Sequence, residues 1–123
     1  MANPNIVAVS NIYGKTAYDA DISQTPTAIV NNAASSGKIF KINSLIISNI
    51  DGTNAADFNA QLRTSSGGVI SGYFAKTIAV PADSTLVVIS KDTSVYLEED
   101  QSIWIYASVA GDLSAICSYE EIS

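Results

Sequence analysis

The stretch Lys38-Ile39-Phe40-Lys41-Ile42-Asn43-Ser44-Leu45-Ile46-Ile47-Ser48-Asn49 decides the fold class. Its first half alternates, with Phe40 and Ile42 on one face and Lys41 and Asn43 on the other, which is the period of a half-covered strand. Its second half, Leu45-Ile46-Ile47, is apolar on both faces and predicts a strand that becomes covered on both sides. Downstream, Asp51-Gly52 is a tight-turn signal, and Phe58, Ala60 and Leu62 then alternate with Asn59, Gln61 and Arg63, predicting a hairpin with the stretch before it.

The same grammar continues to the end of the chain. Ser65-Ser66-Gly67-Gly68 predicts a turn, Val69 to Val80 a long strand bent at Gly72, and Pro81-Ala82-Asp83 its stop, because proline cannot donate to a ladder. Leu86 to Ile89, Val95 to Leu97, Ser102 to Val109 and Leu113 to Ile122 follow as strands, separated by Lys91-Asp92-Thr93, Glu98-Glu99-Asp100 and Ala110-Gly111-Asp112. Upstream, Ile6 to Tyr13 reads as a strand closed by Gly14-Lys15, and Thr27 to Asn31 as a weaker one before a run of small residues. The expectation is an all-β domain: one antiparallel β-sandwich of jelly-roll or Greek-key type, with eight or nine strands, over residues 1–123. Residues 1–35 are less regular and are open to two readings, an arm lying on a neighbouring subunit or an ordinary edge strand.

Composition narrows the chemistry. The chain has 123 residues, 12 acids against 6 Lys and Arg, and no histidine. Without histidine the Ser-His-Asp and Cys-His mechanisms are unavailable, as are nearly all zinc sites. The formal charge of −6 speaks against nucleic acid as a partner, since phosphate backbones need clustered cations. Cys117 is the one cysteine; it sits in an apolar run and reads as a buried, inert thiol. The opening Met1-Ala2-Asn3-Pro4-Asn5 lacks the basic and apolar segments of a secretory signal, and no window approaches the roughly 18 apolar residues of a membrane span. A soluble, non-enzymatic protein made in a cytoplasm is expected, with no cofactor, no metal and no membrane. Only 15% of residues are charged, against roughly 25% in an ordinary domain, which predicts that part of the surface is covered by another protein or by copies of this one.

Four motifs carry possible chemistry. Gly14-Lys15-Thr16 has the tail of a phosphate-binding loop, but Val9 stands where that loop needs its first glycine. Asp51, Asn54 and Asp57 could ligate calcium, but glycine at the second position departs from the EF-hand pattern, and a loop whose Asp and Asn hydrogen-bond their own backbone is expected instead. Glu98-Glu99-Asp100 is the densest acidic cluster. Adjacent residues on an extended segment face opposite ways, so Glu98 and Glu99 are poorly placed to share a sugar as an acid and base pair, and a solvated turn is expected. Trp104 and Tyr106, two apart on one strand, and Tyr73 with Phe74 are candidates for a sugar-stacking platform, with core packing or subunit contact as the commoner explanation of such pairs.

Lys38 to Asn49, together with Ile78-Ala79-Val80-Pro81-Ala82-Asp83-Ser84-Thr85-Leu86, Tyr96-Leu97-Glu98-Glu99-Asp100 and Ser118-Tyr119-Glu120-Glu121-Ile122-Ser123, resembles segments of small virion structural proteins of tailed bacteriophages, marine and cyanobacterial ones in particular. The resemblance covers roughly residues 38–123. It departs at the acidic turn, which in those proteins reads with glycine before the aspartate where this chain has Glu99. It implies a β-sandwich building block of a virion: a capsid decoration (cement) protein, commonly a homotrimer that contacts the major capsid protein, or a neck or tail part. A glycan-binding module on the virion surface is the competing expectation. The expected self-association residues are Leu45, Ile46 and Ile47, with Trp104 and Tyr106 as anchors.

Overall fold

The computed structural model describes residues 3–123. Nine strands run in chain order: β1 (Ile12–Asp19), β2 (Thr27–Asn32), β3 (Ile39–Asn49), β4 (Ala56–Thr64), β5 (Ile70–Val80), β6 (Thr85–Ile89), β7 (Val95–Leu97), β8 (Gln101–Ala107) and β9 (Leu113–Ile122). One 3-10 turn at Lys91–Thr93 is the sole helical element among the described residues. Two antiparallel sheets form. Sheet A has the order β1-β9-β3-β6, with β7 also pairing β3; sheet B has the order β2-β8-β4-β5. Successive strands cross repeatedly from one sheet to the other, and these two orders are those of a jelly-roll sandwich.

Strand β3 is the hub of sheet A, because β9 lies along one side while β6 and β7 share the other. Phe40, Ile42, Leu45 and Ile47 all point into the sandwich, where they meet Phe58, Ala60, Ile103 and Ile105 of sheet B. Ile42 and Leu45 are three apart, so simple alternation would turn one of them outward. A bulge between Ile42 and Ser44 in the pairing with β9 absorbs one residue and restores the phase.

Three sequence expectations change. The Asp51-Gly52 turn does not close a hairpin, since β3 belongs to sheet A and β4 to sheet B; the segment between them carries the chain across the sandwich. The hairpin partner of β4 is β5, joined through Ser65–Gly68. The first strand is Ile12–Asp19 and not Ile6–Tyr13. Asn5 caps its own turn instead, accepting from the Val7 N–H through its side chain and from the Ala8 N–H through its carbonyl. Gly14 and Lys15 then lie inside an edge strand, paired opposite Glu120 and Tyr119. Lastly, Leu45 and Ile47 are completely buried, so they are core residues and offer nothing to a partner; of that trio only Ile46 faces outward.

Leu45→Ala or Ile47→Ala should each cost about 2–5 kcal/mol, because each leaves a cavity in a packed interior. Ile46→Ser should cost less than about 1 kcal/mol. Urea unfolding of the three variants separates the faces of β3.

Candidate functional site

Sheet B presents an aromatic row on its outer surface. Register places Ala28 beside Trp104, Trp104 beside Gln61 and Gln61 beside Tyr73, across all four strands, with Tyr106 next along β8 and paired with Asn59. Trp104, Tyr106 and Tyr73 therefore share one face, whereas Phe74 packs against the core. Two of the rings, those of Trp104 and Tyr73, already carry a cation. The Arg63 guanidinium lies 4.6 Å from the Trp104 ring centroid, and Lys76 Nζ lies 5.3 Å from that of Tyr73. Arg63 is held in place by donating from Nε to Gln61 Oε1 (2.7 Å), and Trp104 by donating from Nε1 to Ser102 Oγ (2.8 Å). A sugar stacking on Trp104 would first have to displace the guanidinium, so the arrangement favours a structural role for the tryptophan.

Sheet A presents a different surface. Tyr18 pairs with Ile116, Ile116 with Ile46 and Ile46 with Val87, which makes one apolar row across β1, β9, β3 and β6. Tyr18 is 75% exposed, Ile116 52% and Val87 56%. The rows on either side are hydroxylic: Ser114, Ser48 and Thr85 on one, Thr16, Ser118 and Ser44 on the other. No charged side chain stands in these three rows. At one end of the apolar row Tyr18, Ala20, Ile50 and Ile116 border a shallow hollow of about 350 Å³, with Asp19 as the one charged residue in its lining. Tyr18, Ile116 and Val87 were missed by sequence reasoning. The available signal was Ile116, an isoleucine at the solvent-facing parity of a strand whose inward residues are Leu113, Ala115 and Cys117.

The remaining motifs have local explanations. Asp51 Oδ1 accepts from the Thr53 N–H (2.8 Å) and Oδ2 from Asn54 Nδ2 (3.3 Å), so the loop caps itself; these bonds, Thr53 first, hold the Asp51 carboxyl below its ordinary value. Asp112 is pushed up by partial desolvation and by facing Asp51. Among the described residues no group of three or more His, Cys, Asp or Glu is arranged to hold a metal. The left-handed residue of the acidic turn is Asp100 (φ 65°), whose carboxylate accepts from the Ser66 N–H and hydroxyl. Glu99, expected in solvent, is buried. Cys117 is buried between Ala17 and Leu45 in the sheet, and burial pushes its thiol up to about 12. The buried Glu121 carboxylate takes Lys15 Nζ at 2.8 Å and also Lys38 Nζ; the Lys15 hydrogen bond, then that of Lys38, holds it below the usual carboxylate range.

No protein-family model matches this chain, and no curated protein matches it. Among solved structures it is similar to one described as "Bacillus endospore appendages form a novel family of disulfide-linked pili", at 18% identity and a TM-score of 0.49, over 98% of this chain and 96% of that one. No role passes to this chain from a likeness of that depth.

Two outcomes follow from the titrating groups. Thiol reagents should label Cys117 only after unfolding, at a rate that tracks denaturant concentration. Glu121 binds fewer protons folded than unfolded near pH 4, so its stabilisation is complete above the unfolded value of about 4.3 and is lost as pH falls through its lower folded value. Glu121→Gln should cost about 1 kcal/mol at pH 7, the lysines being half exposed, and should flatten the stability curve below pH 4 in acid-unfolding measurements.

Proposed function

We propose that this chain is a non-enzymatic structural subunit of a phage virion, a capsid decoration protein that assembles with copies of itself, as a homotrimer, and binds the major capsid protein. The observation that carries this reading is the apolar row on the outer face of sheet A, with the uncharged hydroxylic rows on either side of it. A chain of charge −6 repels its own copies, and an uncharged face is where two copies meet at least electrostatic cost. The resemblance of residues 38–123 to virion proteins supplies the biological setting, and the jelly-roll sandwich suits a shell component.

Magnitudes decide how that face works. Covering the exposed parts of Tyr18, Ile116 and Val87 contributes about 1 kcal/mol each, while association costs at least about 4 kcal/mol in lost freedom. Four strands about 4.8 Å apart give a row roughly 15 Å long and, at about 7 Å of strand per outward residue, roughly 100 Å² of sheet, well short of the roughly 800 Å² per partner of a stable interface. One pairwise contact is therefore weak; closing a ring, and repetition over a shell, multiplies it. The engaged rings of Trp104 and Tyr73 give the glycan-binding reading less support.

Light scattering over a concentration series should show the mass rising from one chain towards three. Ile116→Asp should remain folded and monomeric at every concentration and lose binding to emptied capsids. A wild-type chain that stays monomeric and ignores capsids would overturn the proposal.

A further inference from the structure

The turn between β7 and β8 holds a group that the assembly reading does not use. Glu99 is only 7% exposed, yet its Oε2 is buried with no hydrogen-bond partner among the described residues. Its other oxygen, Oε1, accepts from the Gly37 N–H at 3.1 Å, which fixes the carboxylate in place. Leaving one buried carboxylate oxygen unmet forfeits its hydration with nothing in return. The nearest basic residue in sequence to Gly37 is Lys38, and it is turned towards Glu121. Glu99 also lines, together with Glu98, Gln101 and Asn3, a polar cavity of about 180 Å³, with Oε2 itself sealed just behind the cavity wall.

The cavity walls are oxygen-rich and partly locked. Asn3 Nδ2 donates to Glu98 Oε1 (2.6 Å), so the amide oxygen of Asn3 is left available. Gln101 Oε1 accepts from the Glu98 N–H (2.8 Å) and keeps a second lone pair. Two adjacent carboxylates and two amide oxygens around one small cavity are the ligand chemistry of a hard divalent cation. Because amides make up half the set, no cluster of three acids is needed.

We propose that Glu98, Glu99, Gln101 and Asn3 form a binding site for a divalent cation of the calcium type. Binding turns Glu99 Oε2 into the cavity to meet the cation and ties the segment at Asn3 to the β7–β8 turn. Calcium takes six to eight oxygens, so water completes the shell, and the affinity belongs in the weak range, a Kd on the order of 10⁻⁴ to 10⁻³ M.

The test is calorimetric titration of the full chain with calcium chloride, paired with thermal melts in calcium and in EDTA. Saturable binding in that range and a higher melting temperature in calcium are expected. Glu99→Gln keeps the acceptor for Gly37 but should lose both effects; Glu98→Gln, an exposed change, should fold normally and bind several-fold more weakly. No calcium-dependent heat or melting shift in the wild-type chain would overturn the site. So would a Glu98→Gln chain that binds calcium as tightly as the wild type.

Discussion

The phase of β3 is the constraint on which the rest of the structure depends. This strand pairs with β9, β6 and β7, so its side-chain alternation sets which residues of half the molecule face the core. Phe40 and Ile42 occupy one parity and Leu45 and Ile47 the other, and both pairs lie inside only because one residue is absorbed at the bulge near Asn43. A second irregularity, between Leu45 and Ile46 opposite β6, brings Ile46 beside Val87. The core and the outer apolar row are thus two consequences of one register. A slip by one residue would exchange them, exposing Leu45 and Ile47 and burying Ser48.

The two outer faces divide the chain's scarce charge between them. Sheet B uses Arg63 and Lys76 to cover Trp104 and Tyr73, and Asn59 accepts from the N–H of Thr77 through its side-chain oxygen, Thr77 being held at positive φ. Sheet A's outer face keeps Ile116, Val87 and Tyr18 in solvent, bordered by hydroxyls that can hydrogen-bond with water or with another polar surface equally well. An exposed apolar patch without such an outlet is an aggregation liability, and the proposed assembly is what gives this one a use.

Much of the fold was legible because strand β9, strand β7 and the Ser65–Gly68 and Pro81 punctuation speak through local alternation and turn chemistry. What was illegible is non-local. The Asp51-Gly52 signal marks a change of direction but carries no information on whether the next strand joins the same sheet, and here it crosses. Likewise Ile6–Ala8 has strand-like residues, yet Asn5 captures the backbone locally and pairing with β9 begins only at Ile12. The apolar trio Leu45-Ile46-Ile47 was read as a contact because both faces are apolar, although alternation allows only one face of it to reach a partner. Residues that do lie on that face, Ile116 and Val87, come from strands distant in sequence and are joined only by register. Glu99 was read as solvated because nothing in an acidic run says which member folds inward.

The most direct measurement is amide chemical-shift mapping by NMR over a concentration series of the purified chain. Shifts that grow with concentration at Tyr18, Ile46, Val87 and Ile116, with the Trp104 and Tyr73 surface unchanged, are the result expected if the outer face of sheet A joins copies of the chain. Shifts gathered instead on the sheet B face, or none at any concentration, would contradict it.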